Sequence, residues 1–247
     1  MGTKAACEFF DSWKRINSFF NWVLGMAGHM DQFGETAHRA LLDTAHSDEE
    51  REELSKHWDN RVSQMEILKK HRQFFLEVVL VRHVENFLNY LSSLLYEIFT
   101  QRSETLRSSD KVELSRVLSH DTIESLVRDV AERKVESLSY SAFNELADFF
   151  TERFGLNIVP GDKRQYIVEA IEIRNISVHN RCVIDRRFIA RTGCATNELG
   201  KRKELYIGHI DELVLLFAEQ TRRLDAAARK KLKLKGIRFS SANDEDG

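Results

Sequence analysis

Residues 74 to 99 constrain the fold of this chain more than any other stretch. Phe75, Val78, Val79, Leu80, Val84, Phe87, Leu88, Leu91, Leu94, Leu95 and Ile98 recur there at helical spacing, but they cover most sides of the helix rather than one stripe. A surface helix needs a single apolar face; one that is apolar on most sides has to be enclosed by other helices. The remaining sequence is suited to supplying them. One proline (Pro160) and 11 glycines in 247 residues leave few breaks, and β-rich runs are few, so the expected class is an all-α multi-helix bundle. A polar stripe interrupts the central helix, with Arg82, Glu85, Asn86 and Asn89 at steps of three and four on one face. Either Arg82 and Glu85 pair locally, or Glu85 and Asn89 line a cleft.

Helix signals set out the other elements. Phe9, Trp13, Ile16, Phe20 and Val23 keep helical spacing near the start, within an aromatic-rich stretch that turns uncharged from Ile16 to Met30. That run is too short for a bilayer span and has few cations beside it, so packing on the main domain or on a partner is expected, with no membrane. Ser47 with Glu50 forms a capping box that starts a long helical pattern, charged as far as His71 and apolar after it. A loop is expected over 102–110. Asp121 with Glu124 starts a helix to about Ser137, and Ser141 opens the next, whose stripe of Phe143, Leu146, Ala147, Phe150 and Phe154 stops at Gly155. A short helix over 186–192 stops at Gly193, 205–207 reads as extended, and a last helix spans about 209–230. The expected division is a helical extension over 1–60, a main helical domain over 61–235, and a disordered polar tail over 236–247.

Several function classes drop out. The sequence has no phosphate-cradling glycine loop, no paired-histidine zinc motif, no nucleophile elbow and no repeat of fixed period. Cys7, Cys182 and Cys194 are odd in number and widely spaced, without metal-ligand spacing. They read as free thiols in a reducing cytoplasm, with no metal or other cofactor expected. The net charge of −2 gives no global attraction to nucleic acid, so RNA binding would need local patches. One such patch is near the end: Arg222, Arg223, Arg229, Lys230, Lys231, Lys233, Lys235 and Arg238 stand against a single acid, Asp225. Arg229, Lys230, Lys231, Lys233 and Lys235 either form a solvated surface or track phosphates.

The stretch that carries chemistry is residues 172–181. Arg174 is followed by Asn175 and, after three more residues, by His179 and Asn180, while Ile167, Ala170, Ile171 and Val178 keep helical spacing through it. A guanidinium offers a fixed fork of donors to a phosphate, and an imidazole exchanges protons near neutrality. Together they suffice in principle for attack of a ribose 2′-OH on its own phosphodiester without a metal. Spacing alone is weak, because Arg39/His46, Arg51/His57 and Arg202/His209 are looser versions. What sets Arg174 and His179 apart is an asparagine behind each and an apolar helix beneath. The plainer reading is that both merely cap and solvate a helix end.

This setting resembles the catalytic motif of the HEPN superfamily. The resemblance continues through Cys182 to Ile189 and Arg191-Thr192-Gly193. Upstream, Phe149 to Leu156 looks like the helix and turn before the motif in the RiboL-PSP-HEPN and MAE-type branches. It spans roughly residues 70 to 230, and Glu85 is similar to a glutamate on the corresponding helix. The resemblance implies a HEPN-like helical fold and a homodimer in which two motifs meet around one RNA-cleaving site. It implies Arg174 on the scissile phosphate, His179 as general acid or base, and Asn175 orienting either. Glu85, Asn89 and Asn180 would line the cleft. It further implies no metal, a 2′,3′-cyclic phosphate product, and service as a toxin or phage-defence effector held by an antitoxin-like partner. The other HEPN role, a non-catalytic dimerisation or nucleotide-binding scaffold, stays open. One departure stands out: relatives often carry glycine after the histidine and asparagine, where this chain has Arg181 and Cys182.

Overall fold

The computed structural model describes residues 1–107, 111–139 and 141–238. In chain order the helices are α1 (Lys4–Thr44), α2 (Asp48–Asp59), α3 (Gln64–Lys70), α4 (Arg72–Gln101), α5 (Leu114–Leu118) and α6 (Ile123–Ser139). After these come α7 (Phe143–Phe149), α8 (Gly161–Asn180), α9 (Arg186–Thr192) and α10 (Ile207–Leu232). No strand forms among the described residues; extended pairing is limited to bridges of Gly2 with Ile237 and Val183 with Arg202. The class is all-α. Among the described residues no helix is long and apolar enough to cross a membrane.

The apolar stretch forms α4, and α1, α6, α8 and α10 surround it. Phe87, Leu91, Leu94, Leu95 and Ile98 have no exposed surface, because each side of the helix meets a different neighbour. Phe87 stacks on Phe217 of α10 with ring centroids 4.7 Å apart, and Tyr90 meets Phe9 of α1 at 5.8 Å. Asn86, drawn from the polar stripe, turns inward instead: its amide donates to the Phe9 carbonyl at 3.0 Å and fixes α1 against α4.

Also on α4, His83 is 2% exposed and its Nε2 has no hydrogen-bond partner. Burial lowers its pKa to about 4 from an ordinary 6.5. The unfolded chain therefore takes up a proton that the folded chain refuses. Stability is full above pH 6.5 and falls as the pH drops toward 4. The share lost at about pH 5 is about 2 kcal/mol, at about 1.4 kcal/mol per pH unit. Urea midpoints near neutrality and near pH 5 check this: His83→Leu should remove most of that acid loss.

The two ends of the chain are locked together. Thr3 donates to the buried carboxylate of Asp225 through its N–H at 3.1 Å and its hydroxyl at 2.6 Å, while its Oγ1 also caps α1 through the Ala6 N–H. Gly2 and Ile237 exchange both backbone hydrogen bonds. The first turns of α1 thus belong to the common core rather than to an extension. Within the stretch expected as a tail, Ile237 is paired, and 239–247 lie outside the described residues.

Beyond the core α1 continues as an arm, and the charged segment packs back along it. The pattern expected as one helix to His71 breaks twice, because Asp31 of α1 captures the start of α3. Its carboxylate accepts from the Ser63 hydroxyl at 2.6 Å, from Gln64 N at 2.9 Å and from Met65 N at 3.0 Å, and it pairs with Arg61. These donors, the Ser63 hydroxyl first, bring its pKa down to about 2. Ser47 caps α2 as expected, accepting from Glu50 N at 3.1 Å. Two other caps differ. Thr122, not Asp121, caps α6, and Ser141 closes the end of α6 on the Leu138 carbonyl instead of opening α7. In the expected loop over 102–110, Ser103–Leu106 makes a 3-10 turn and 108–110 lie outside the described residues; α5 was not anticipated. Residues 205–207 divide, with Leu205 and Tyr206 outside the helix and Ile207 beginning α10.

Candidate functional site

Pro160 sets the start of α8, and its later turns are two-sided. Glu172, Ile173 and Ile176 are buried. At about 100° per residue Arg174 and Val178 come round to the opposite, outer side and Asn175 to its edge, while His179, seven residues after Glu172, returns toward the Glu172 side and is exposed where the helix ends. Val178, expected on the apolar face, is therefore 51% exposed. After Asn180 the chain turns through two left-handed residues, Arg181 (φ 53°) and Cys182 (φ 62°). Such a conformation costs about 1–3 kcal/mol per non-glycine residue and persists only where the surroundings over-determine it. Here they do. Cys182 N donates to the Ile176 carbonyl at 2.9 Å, Lys203 N donates to the Cys182 carbonyl at 2.8 Å, and the Asn180 amide donates to the Val183 carbonyl at 2.7 Å. Asn180, expected in the cleft, is thus a turn residue and does not line it. The Cys182 thiol is fully enclosed, and burial pushes its pKa up, which suits an inert thiol.

Between α4, α8 and α9 lies a cavity of about 380 Å³. Glu85 and Asn89 of α4, Glu172, Arg174 and Asn175 of α8, and Arg187 and Arg191 of α9 line it, with Ser139, Ser141 and Phe143 on the far wall. The Arg174 guanidinium donates to Glu85 at 3.1 Å and to the Asn175 side-chain oxygen at 3.1 Å. Its Nε is buried with no hydrogen-bond partner. Glu85 also pairs with Arg82 at 3.3 Å, so the local pair and the cleft-lining role of this residue coexist. Behind them Glu172, 4% exposed, accepts from Arg191 at 2.6 Å and from the Asn175 amide at 3.3 Å. Three guanidiniums against two carboxylates leave a cationic surplus in a recess.

Arg187 and Arg191 were not singled out from the sequence. Their signal was available: four residues apart on a short helix, they share one face. His179 is the opposite case. It is exposed in the last turn of α8 and does not line the cavity, so one chain brings together Arg174, Asn175, Glu85 and Asn89 but leaves the histidine outside.

The other candidates scatter. Of the C-terminal cations, Arg229 donates to the Met1 carbonyl at 2.6 Å and Lys231 to the Gly155 carbonyl at 3.1 Å, so both act as fasteners instead of forming a free strip. Lys230, Lys233 and Lys235 are exposed. Gly155 is left-handed (φ 59°) where the helix ends in a π turn against Lys231. Among the looser Arg/His pairs, Arg202 is tied to Glu77 at 2.6 Å and His209 packs on Tyr166. A larger cavity of about 740 Å³ lies between Phe99, Leu106 and Arg153, and no residue of 172–181 lines it. Among the described residues no group of three or more His, Cys, Asp or Glu is placed to hold a metal ion.

In comparisons with known proteins, no family model, no curated protein and no solved structure matches this chain.

Proposed function

We propose that the chain is a HEPN-like endoribonuclease of the cytoplasm that cleaves RNA without a metal, working as a symmetric pair. The observation that carries this reading is the cationic recess, where Arg174, Arg187 and Arg191 line one cavity with two carboxylates. A phosphodiester suits that surplus, and fixed guanidiniums favour the extra charge of a pentavalent transition state. The ribose 2′-oxygen bonds to phosphorus and the bond to the 5′-oxygen breaks. The 2′-OH proton passes to an imidazole, which as imidazolium returns it to the leaving oxygen. A pair of chains supplies it, because the exposed His179 of each copy can reach the recess of the other. The exposure of Val178 and His179 in the last turn of α8 supports that pairing. Asn175 and Glu85 hold Arg174 in position, and an antitoxin-like inhibitor is the expected restraint in a toxin or phage-defence setting.

The ion pair between Arg174 and Glu85 favours a second reading, a non-catalytic phosphate or nucleotide clamp or dimerisation scaffold. Incubation with mixed RNA in EDTA separates the two. The nuclease reading expects fragments with 2′,3′-cyclic phosphate ends; RNA or nucleotide bound but intact supports the clamp.

A further inference from the structure

The uncharged part of α1 is not explained by the site. One side of the arm faces α2 and α3: Ala27 is buried there, Asp31 binds the start of α3, and His38 stacks on Trp58 with rings 4.7 Å apart. The other side presents Phe19, Trp22, Met26, Met30, Phe33, Ala37 and Leu41. These positions repeat at intervals of eleven: 19, 30 and 41; 22 and 33; 26 and 37. Eleven residues in three turns keep one stripe facing one way along a nearly straight helix, as a helix-pairing seam requires. Phe19 is 57% exposed, Trp22 60%, Met30 53%, Phe33 76% and Leu41 52%.

We propose that this stripe pairs with the same stripe of a second copy, antiparallel, with Met30 at the two-fold axis. Three observations select that occupant. The first is area. A fully exposed aromatic carries about 150–250 Å², which puts the open stripe on the order of 700 Å² per copy. That exceeds the roughly 300–600 Å² patch of an ordinary monomer and, doubled, matches the roughly 1,200–2,000 Å² of a stable interface. The second is charge. Between Ile16 and Leu42 the charged residues are Asp31, Glu35 and Arg39; Asp31 is engaged with α3, and Glu35 and Arg39 pair with each other at 3.3 Å away from the stripe. Without cations there, an anionic lipid surface gains nothing, whereas an identical uncharged stripe meets no repulsion. The third is shape. Antiparallel pairing about Met30 sets Phe19 opposite Leu41 and Trp22 level with position 38, beside the small Ala37, while parallel pairing sets Trp22 on Trp22 and Phe33 on Phe33.

This pairing is independent of the nuclease reading, and the test keeps the two apart. The full chain and a Trp22→Glu/Phe33→Glu variant are compared by sedimentation at micromolar concentration, with helicity checked by circular dichroism. The variant should sediment at half the wild-type mass with unchanged helicity. Equal masses overturn the proposal, and any dimer that remains in both is then the one formed around α8. Wild type that stays unpaired yet floats with neutral phosphatidylcholine vesicles also overturns it, in favour of a lipid surface. A second measurement fixes orientation in a Cys194→Ser background. A short bis-maleimide should link Met30→Cys to its copy but not Phe19→Cys, whose partner position is about 33 Å away at 1.5 Å rise per residue. Equal linking of both overturns the antiparallel arrangement.

Discussion

Replacing His179 by alanine is expected to lower RNA cleavage by about two to four orders of magnitude, the usual loss for a general acid or base. Arg174→Ala should cost about two to three orders, since it removes donors from the developing charge. The controls are built into the fold. His46 and His57 sit with the arm, His209 packs on Tyr166, and none of the three lines the cavity. Their alanine variants should cleave almost as the wild type does. Rates that fall equally for His57→Ala and His179→Ala, with helicity intact in both, would remove His179 from the mechanism.

The largest effect on stability is expected at Phe87. Its side chain has no exposed surface and stacks on Phe217 with an interplanar angle of 21° at the centre of the bundle. Truncation to alanine leaves a cavity that rigid neighbours on several helices fill poorly, so the loss should be about 3–5 kcal/mol. Against a net stability of about 5–15 kcal/mol this is a large fraction, and the melting temperature should drop on the order of 10 °C. Ile123→Ala, at an 81% exposed position, should stay within about 0.5 kcal/mol. A Phe87→Ala chain that melted with the wild type would contradict the placement of α4 at the centre.

The enclosure of α4 was legible because it follows from composition around a helix, which needs no knowledge of the partners. Helix stops set by left-handed glycines, at Gly155 and Gly193, were legible for a similar local reason. What failed to show were contacts between distant segments. Nothing near Asp31 announces that it will receive the start of α3, so the break before Ser63 was not foreseen. Asn86 read as part of a polar face, yet its partner is the Phe9 carbonyl, 77 residues away in the chain. At the site, Arg174 and Asn175 stand out by their order in the sequence. Arg187 and Arg191 join them only through the turn at Arg181 and Cys182, whose left-handed geometry two such residues do not advertise. Asn180 and Arg229 carry the same polar groups that a ligand site would use, and tertiary structure commits them to backbone carbonyls instead.

The central claim is that Arg174 of one copy works with His179 of another, and complementation between inactive variants tests it most directly. Arg174→Ala and His179→Ala proteins are dissociated, mixed and allowed to re-pair, then assayed on RNA in EDTA beside each protein alone. Half of randomly formed pairs are mixed and each keeps one intact Arg–His combination of two, so the mixture should regain about a quarter of wild-type cleavage. A mixture as inactive as its components, with mixed pairs demonstrated by differential tags, would contradict the shared site.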